Sequence, residues 1–155
     1  MQLLYEVADF VRAARRRLRF GELSRAPIRI LRLELRGDSA ECDWMTRPLD
    51  VWDLNLPPFA RDENATLQAL ADAMALRAIL LDELPSIRSA VLRGFRTSVR
   101  ETSEAIIFGS ITREDPYLLR VPSPVMRAKL CGFQFELENG FLKTMKGDER
   151  GLATE

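Results

Sequence analysis

The residues best equipped for chemistry crowd one stretch of the chain: Asp43, Trp44, Arg47, Asp50, Trp52 and Asp53. Both tryptophans fall there. Indole faces beside carboxylates suit a cationic ligand, since ring quadrupole and negative charge both attract it. Asp50 and Asp53 have the oxygen donors a hard cation takes. A structural reading stands beside this one. Strand parity turns Trp44 into the core, Trp52 pins a loop over the sheet, and the carboxylates are solvated. Asp43, Arg47, Asp50, Trp52 and Asp53 are the candidate ligand-binding residues. No metal site, cofactor or catalytic residue is assigned.

A second constellation is basic. Arg12, Arg15, Arg16 and Arg19 recur at i, i+3, i+4 and i+7, so a helix places them in one stripe. Such a stripe binds phosphate or an acidic partner, or it is a solvated face complementing the helix C-terminus. No aromatic platform accompanies it, and 23 basic residues balance 23 acidic ones, so nucleic acid is not the expected partner.

Other chemistry is narrowed by what is missing. The chain has no histidine, which removes serine triads, cysteine–histidine dyads and most zinc sites. Gly94, Gly109 and Gly132 lack phosphate-loop spacing and a following Lys-Ser/Thr. Carboxylates flank Cys42, and its parity points inward; Cys131 neighbours Lys129 with no base at hand. Both cysteines read as small buried hydrophobes in a reducing compartment, so a cytoplasmic location is expected. Arginine accounts for 20 of the 23 basic residues, a bias of the kind GC-rich bacterial genomes produce.

The elements that position these residues follow from periodicity. Leu3 to Phe20 reads as an amphipathic helix with Leu4, Val7, Ala8, Val11, Ala14 and Leu18 on one face and Gly21 as its stop. Pro27 to Thr46 reads as a hairpin about Gly37-Asp38, pairing Leu35 with Ala40, Leu33 with Cys42 and Leu31 with Trp44. Ile28 and Ile30 have the opposite parity, which calls for a bulge or for cover on both faces. Arg47 to Glu63 has no usable period. Asn64 caps a second helix through about Leu84, with Leu67, Leu70, Ala71, Met74, Ala78 and Leu81 as its stripe; Leu76, Ile79 and Leu80 widen it, so the helix is apolar over most of its circumference and expected to be central. Ser86 opens a third helix facing Ile87, Val91, Leu92 and Phe95 inward. Ala105 to Ile111 is a central strand. Ser123-Pro124 and Gly132 bracket a short helix, with a strand over Met126 to Cys131 as the alternative. A closing hairpin turns at Asn139-Gly140, pairing Leu137 with Leu142 and Glu136 with Lys143.

The expected fold is therefore α+β, a mainly antiparallel sheet of about five strands with helices packed on it, in the order α-β-β-α(-α)-β-(short α)-β-β. Residues 1–146 form one domain, and the polar residues 147–155 fray. Complete folding signals without a catalytic constellation point to a binding or protein-interaction domain. The alternatives are a small-molecule binder or small enzyme using residues 44–63, and a nucleic-acid adaptor using the arginine stripe. A homodimer is expected from apolar surplus on the first helix (Tyr5, Phe10) and the terminal hairpin (Phe141, Met145). A membrane partner is not expected, because no uncharged apolar run is long enough to span a bilayer.

Overall fold

The computed structural model describes residues 2–18, 27–48, 55–97 and 102–145. Helix α1 (Gln2–Arg17) leads into β1 (Arg29–Arg36) and β2 (Ser39–Met45). Helix α2 (Pro58–Glu83) crosses to β3 (Ser89–Thr97), which turns back as β4 (Ser103–Thr112). Helix α3 (Pro124–Leu130) precedes β5 (Phe133–Gln134), β6 (Leu137–Glu138) and β7 (Phe141–Leu142). The sheet has the order β1-β2-β3-β4-β5, antiparallel except where α2 makes β2 and β3 parallel; β6 and β7 form a separate ribbon. This is the expected α+β class with a mixed sheet. No helix among the described residues is long and apolar enough to cross a membrane.

The first hairpin turns at Gly37, whose φ of 60° is the mirror-turn geometry that glycine adopts without a Cβ penalty. Its register holds for Leu35 with Ala40 and Leu33 with Cys42, and it sets Arg32 opposite Asp43. It shifts between Ile30 and Arg32, so Ile30 rather than Leu31 faces Trp44. This bulge puts Ile28 and Ile30 against the core and leaves Leu31 41% exposed. The closing hairpin also keeps its register, with Leu137 opposite Leu142. The Lys143 amide donates to the Glu136 carbonyl at 2.9 Å, and Asn139 (φ 52°) and Gly140 (φ 80°) make the turn.

Two expectations are corrected. The segment after Ser86 is strand β3, not a third helix. Val91, Leu92 and Phe95 fit a helical period, but so does strand alternation of Ala90, Leu92 and Gly94, all buried. Helix α2 starts at Pro58 rather than after Asn64, because proline suits the first helical position with its preset φ and absent N–H. The short helix before Gly132 is present, and the Ser123 hydroxyl accepts from the Met126 amide at 3.3 Å.

One core joins both long helices to a single sheet face. Phe10, Ala13 and Ala14 of α1 and Ala69, Leu70, Ala73, Leu76 and Leu80 of α2 meet Cys42, Trp44, Leu92 and Ile107. Each fully buried Leu, Ile or Phe contributes about 1.5–3 kcal/mol over an exposed one. Phe10 is wholly buried and so is not surplus apolar surface; Phe141 and Met145 are half-buried. The C-terminal end of α2 carries no basic residue of its own in its last turn. Arg113, just past β4, supplies one, donating to the carbonyls of Leu81 (3.1 Å), Leu84 (2.7 Å) and Ile87 (2.5 Å).

Candidate functional site

Strand parity sends alternate side chains of β2 to opposite faces, which separates the candidate residues of that region. Trp44 lies in the core, as its parity requires. Asp43 points the other way. It accepts two bonds from Arg93, Nε at 2.9 Å and Nη2 at 3.0 Å, and one from Arg32 Nε at 3.2 Å. Arg32 also meets Glu41, and Arg93 lies 5.8 Å from the centroid of the Phe95 ring. Asp43 is thus a member of a satisfied ion-pair network on the sheet face opposite the core. Asp50, Trp52 and Asp53 lie outside the described residues.

Arg47 leaves β2 toward α2 and is fully buried. Its Nε donates to Asp72 at 2.8 Å, and Gln68 Nε2 donates to the other Asp72 oxygen at 3.0 Å. Burial raises the Asp72 carboxyl to about 6, and the Arg47 charge opposes that shift. The structure does not join Asp43 to Arg47; each answers to a different element.

The basic stripe is present on α1, with Arg12, Arg15 and Arg16 exposed and Arg19 outside the described residues. Arg12 is paired with Asp9 on the same helix, and neighbouring Arg17 reaches Asp82 of α2 at 3.3 Å. Such exposed pairs contribute little to stability. Burial pushes the Cys42 thiol up to about 12 and also raises that of Cys131, so neither is an activated nucleophile.

What the described residues do assemble is a cleft at one end of the sheet, with a volume of about 590 Å³. Parallel pairing brings the last residues of β2 and β3 together, Met45 beside Phe95. The chain leaving them forms one side, α2 forms another through Asp62, Ala65, Thr66 and Ala69, and β7 closes a third. Thr66 Oγ1 donates to the Gly140 carbonyl at 2.7 Å, which ties the closing hairpin to α2. The Met145 amide donates to the Ala105 carbonyl at 2.9 Å and anchors the other end of that ribbon to β4. The cleft floor is apolar, built from Met45, Ala69, Ile106 and Leu142.

Among the described residues three arginines line this cleft, and they differ in their commitments. Arg47 is spent on Asp72. Arg96 donates to the Leu142 carbonyl at 2.6 Å and to Glu104 at 3.3 Å, and stacks 4.5 Å from the Phe141 ring centroid. Glu104 is held below the usual carboxylate range, first by the Thr144 hydroxyl at 2.6 Å and then by Arg96. Arg29 of β1 is exposed at the rim and has no hydrogen-bonding or ion-pair partner among the described residues. Asp62 is the single carboxylate among the described lining residues. The lining hydroxyls are engaged in structure: Thr46 donates to the Phe95 carbonyl at 3.0 Å, Thr66 to Gly140, and Thr97 to the Met45 sulfur at 3.8 Å.

Arg29 and Arg96 carry no local sequence signal. Each is one arginine among many, and only the meeting of three strand ends brings them to one place. No group of three or more metal-ligating side chains occurs among the described residues. Comparison with protein-family models, with curated proteins and with solved structures finds no match.

Proposed function

We propose that this chain is a non-catalytic binding domain whose cleft takes a small amphipathic anion, an anionic head on an apolar body. The observation that carries this reading is the pairing of an apolar floor with the guanidinium of Arg29 at the rim, which has no partner among the described residues. A cleft of about 590 Å³ is in the range that holds small ligands, and a few convergent polar groups normally set their orientation. The planar fork of Arg29 suits bidentate contact with a carboxylate or phosphate. Arg96, fixed by its carbonyl, carboxylate and ring contacts, gives that side of the cleft a preformed wall.

Two further features favour binding over catalysis. Each lining threonine donates its proton to an acceptor that cannot act as a general base, so none is an activated nucleophile. With Asp62 as the single carboxylate among the described lining residues, those residues supply no acid–base pair inside the cleft. The reading moves the ligand's charge from cationic, as the tryptophan and aspartate spacing implied, to anionic.

Thermal unfolding with a medium-chain alkyl carboxylate, the matching alkyl phosphate and the matching alcohol tests the proposal. The two anions should raise Tm saturably and the alcohol should not; a ligand at a hundredfold excess over Kd stabilises by about 2.7 kcal/mol. Arg29→Ala should melt like the parent without ligand and lose most of the anion-induced shift. Equal shifts from alcohol and anion, or an unchanged response in Arg29→Ala, would remove the basis for the proposal.

A further inference from the structure

Helix α2 carries an apolar stripe at the margin of the core, where Met74 packs against the buried residues. Leu67, Ala71, Met74 and Ala78 recur at i, i+4, i+7 and i+11, so they share one face. Ala71 and Ala78 are exposed, and Leu67 and Met74 are half-buried. The buried face of the helix is displaced from this stripe and includes Ala69, Ala73, Leu76 and Leu80. An amphipathic helix normally turns its apolar stripe inward and its polar residues outward. Here Gln68, Asp72 and Arg77 are buried instead, which rotates the apolar stripe toward solvent.

The stripe borders a groove of about 620 Å³. Leu70 and Met74 form one wall, and Pro122, Pro124 and Arg127 form the other. Leu130 and Met126 lie beside Arg127 on the surface of α3 and are 46% and 49% exposed. Tyr117 and Leu119, on the segment leading into that wall, are 72% and 79% exposed. These four are half of the eight large apolar side chains exposed among the described residues, and all four fall in the one segment, 117–130, that supplies the outer wall.

Charge and backbone chemistry say what fits. From Pro116 to Phe135 the chain holds Arg120, Arg127 and Lys129 and no carboxylate. Arg127 Nη1 donates to the carbonyls of Leu118 (3.1 Å) and Val121 (3.0 Å), which fixes the outer wall in place. The walls are a helix and a proline-bearing turn, so they offer no open strand edge for a β-strand to extend. A methionine in the groove adapts its shape to an apolar knob at low cost.

We propose that this groove docks an acidic amphipathic helix of a partner protein. Apolar side chains of the incoming helix, spaced one turn apart, lie against Leu67, Ala71 and Met74. Its flanking carboxylates face Arg120, Arg127 and Lys129. The groove is built from residues other than those of the anion cleft, so the two sites stand or fall separately.

Selection of a displayed library of helical peptides against the full chain tests this. Enriched sequences should combine a helical apolar period with Asp and Glu on the flanks. Their affinity, read by fluorescence anisotropy, should fall as salt rises. Ala71→Glu and Leu130→Glu should each weaken them by about tenfold or more, since each places a like charge at the interface. Both positions are exposed, so unchanged melting of the two variants should accompany the loss. No enrichment over an unrelated protein, enrichment of basic peptides, or equal affinity for the variants would overturn the proposal. A parent that sediments as a dimer and is split by Ala71→Glu would also overturn it, because a second copy would then fill the groove.

Discussion

Gly94 lies opposite Trp44 across the parallel β2–β3 pair, and a Cβ added to it would come 2.7 Å from Cζ2 and 3.0 Å from Cη2 of the indole. Contact between carbon atoms is relaxed at about 3.5–4.0 Å, so the overlap is on the order of 1 Å. The ring has nowhere to retreat, since Trp44 is wholly buried in a close-packed core. Overpacking of this kind costs about 1–3 kcal/mol. Replacing glycine also restricts the unfolded chain, which returns about 0.4–1 kcal/mol. Gly94→Ala should therefore lose about 1–2 kcal/mol, read in urea unfolding as a lower midpoint with the slope unchanged. The cause is separable by a second substitution. Trp44→Phe shortens the ring that the new methyl meets, and it removes a buried indole N–H without a hydrogen-bond partner among the described residues. The two substitutions should then be coupled favourably by about 1 kcal/mol in a double-mutant cycle. A Gly94→Ala variant as stable as the parent, or strictly additive substitutions, would refute the reasoning.

Three further outcomes follow from Asp72, Arg113 and the two thiols. The folded-state carboxyl of Asp72 titrates near 6, above its unfolded value of 3.8, so the folded state binds that proton first. Stability should rise as pH falls from 7 toward 5 by more in the parent than in Asp72→Asn; the opposite ordering in urea titrations would mean that the Arg47 pair outweighs burial. Arg113→Ala leaves three carbonyls around the end of α2 without their donor and should cost about 2 kcal/mol in thermal unfolding. The thiols of Cys42 and Cys131 should resist an aromatic disulfide reagent at pH 8 in the folded protein and react fully in denaturant, because both are buried and shifted upward.

The two hairpins were legible in the sequence because a two-residue turn fixes which residues oppose, and parity does the rest. Where parity changed, at Ile28 and Ile30, the bulge was anticipated but its consequence for Leu31 was not. Strand β3 is ambiguous in the sequence because Val91, Leu92 and Phe95 satisfy a helical period while Ala90, Leu92 and Gly94 satisfy strand alternation. Leu70, Leu76, Ile79 and Leu80 of α2 face the core, as a helix apolar over most of its circumference implies, but periodicity does not show that polar residues share that face. Asp72 and Arg77 are strongly polar, and only tertiary partners make their burial tolerable: Arg47 for the first, the Thr112 and Glu114 carbonyls and Asp115 for the second. Those partners are 25 to 38 positions away in the chain, beyond the reach of a periodicity argument. Of the candidate ligand residues, Arg47 does line a cleft, while Asp43 belongs to the opposite sheet face. Arg29 and Arg96 became visible only when the topology placed their strand ends side by side.

The central claim is that the cleft at the end of β2 and β3 binds an amphipathic anion through Arg29. Its most direct test is an NMR titration of the full chain with an alkyl carboxylate, following the Arg29 side-chain Nε–H and the methyl groups of Met45 and Ile106. Saturable shifts at all three with a single Kd, lost together in Arg29→Ala, are the expected result. Shifts confined to other parts of the molecule, or an Arg29→Ala variant that binds with the parent's Kd, would contradict it.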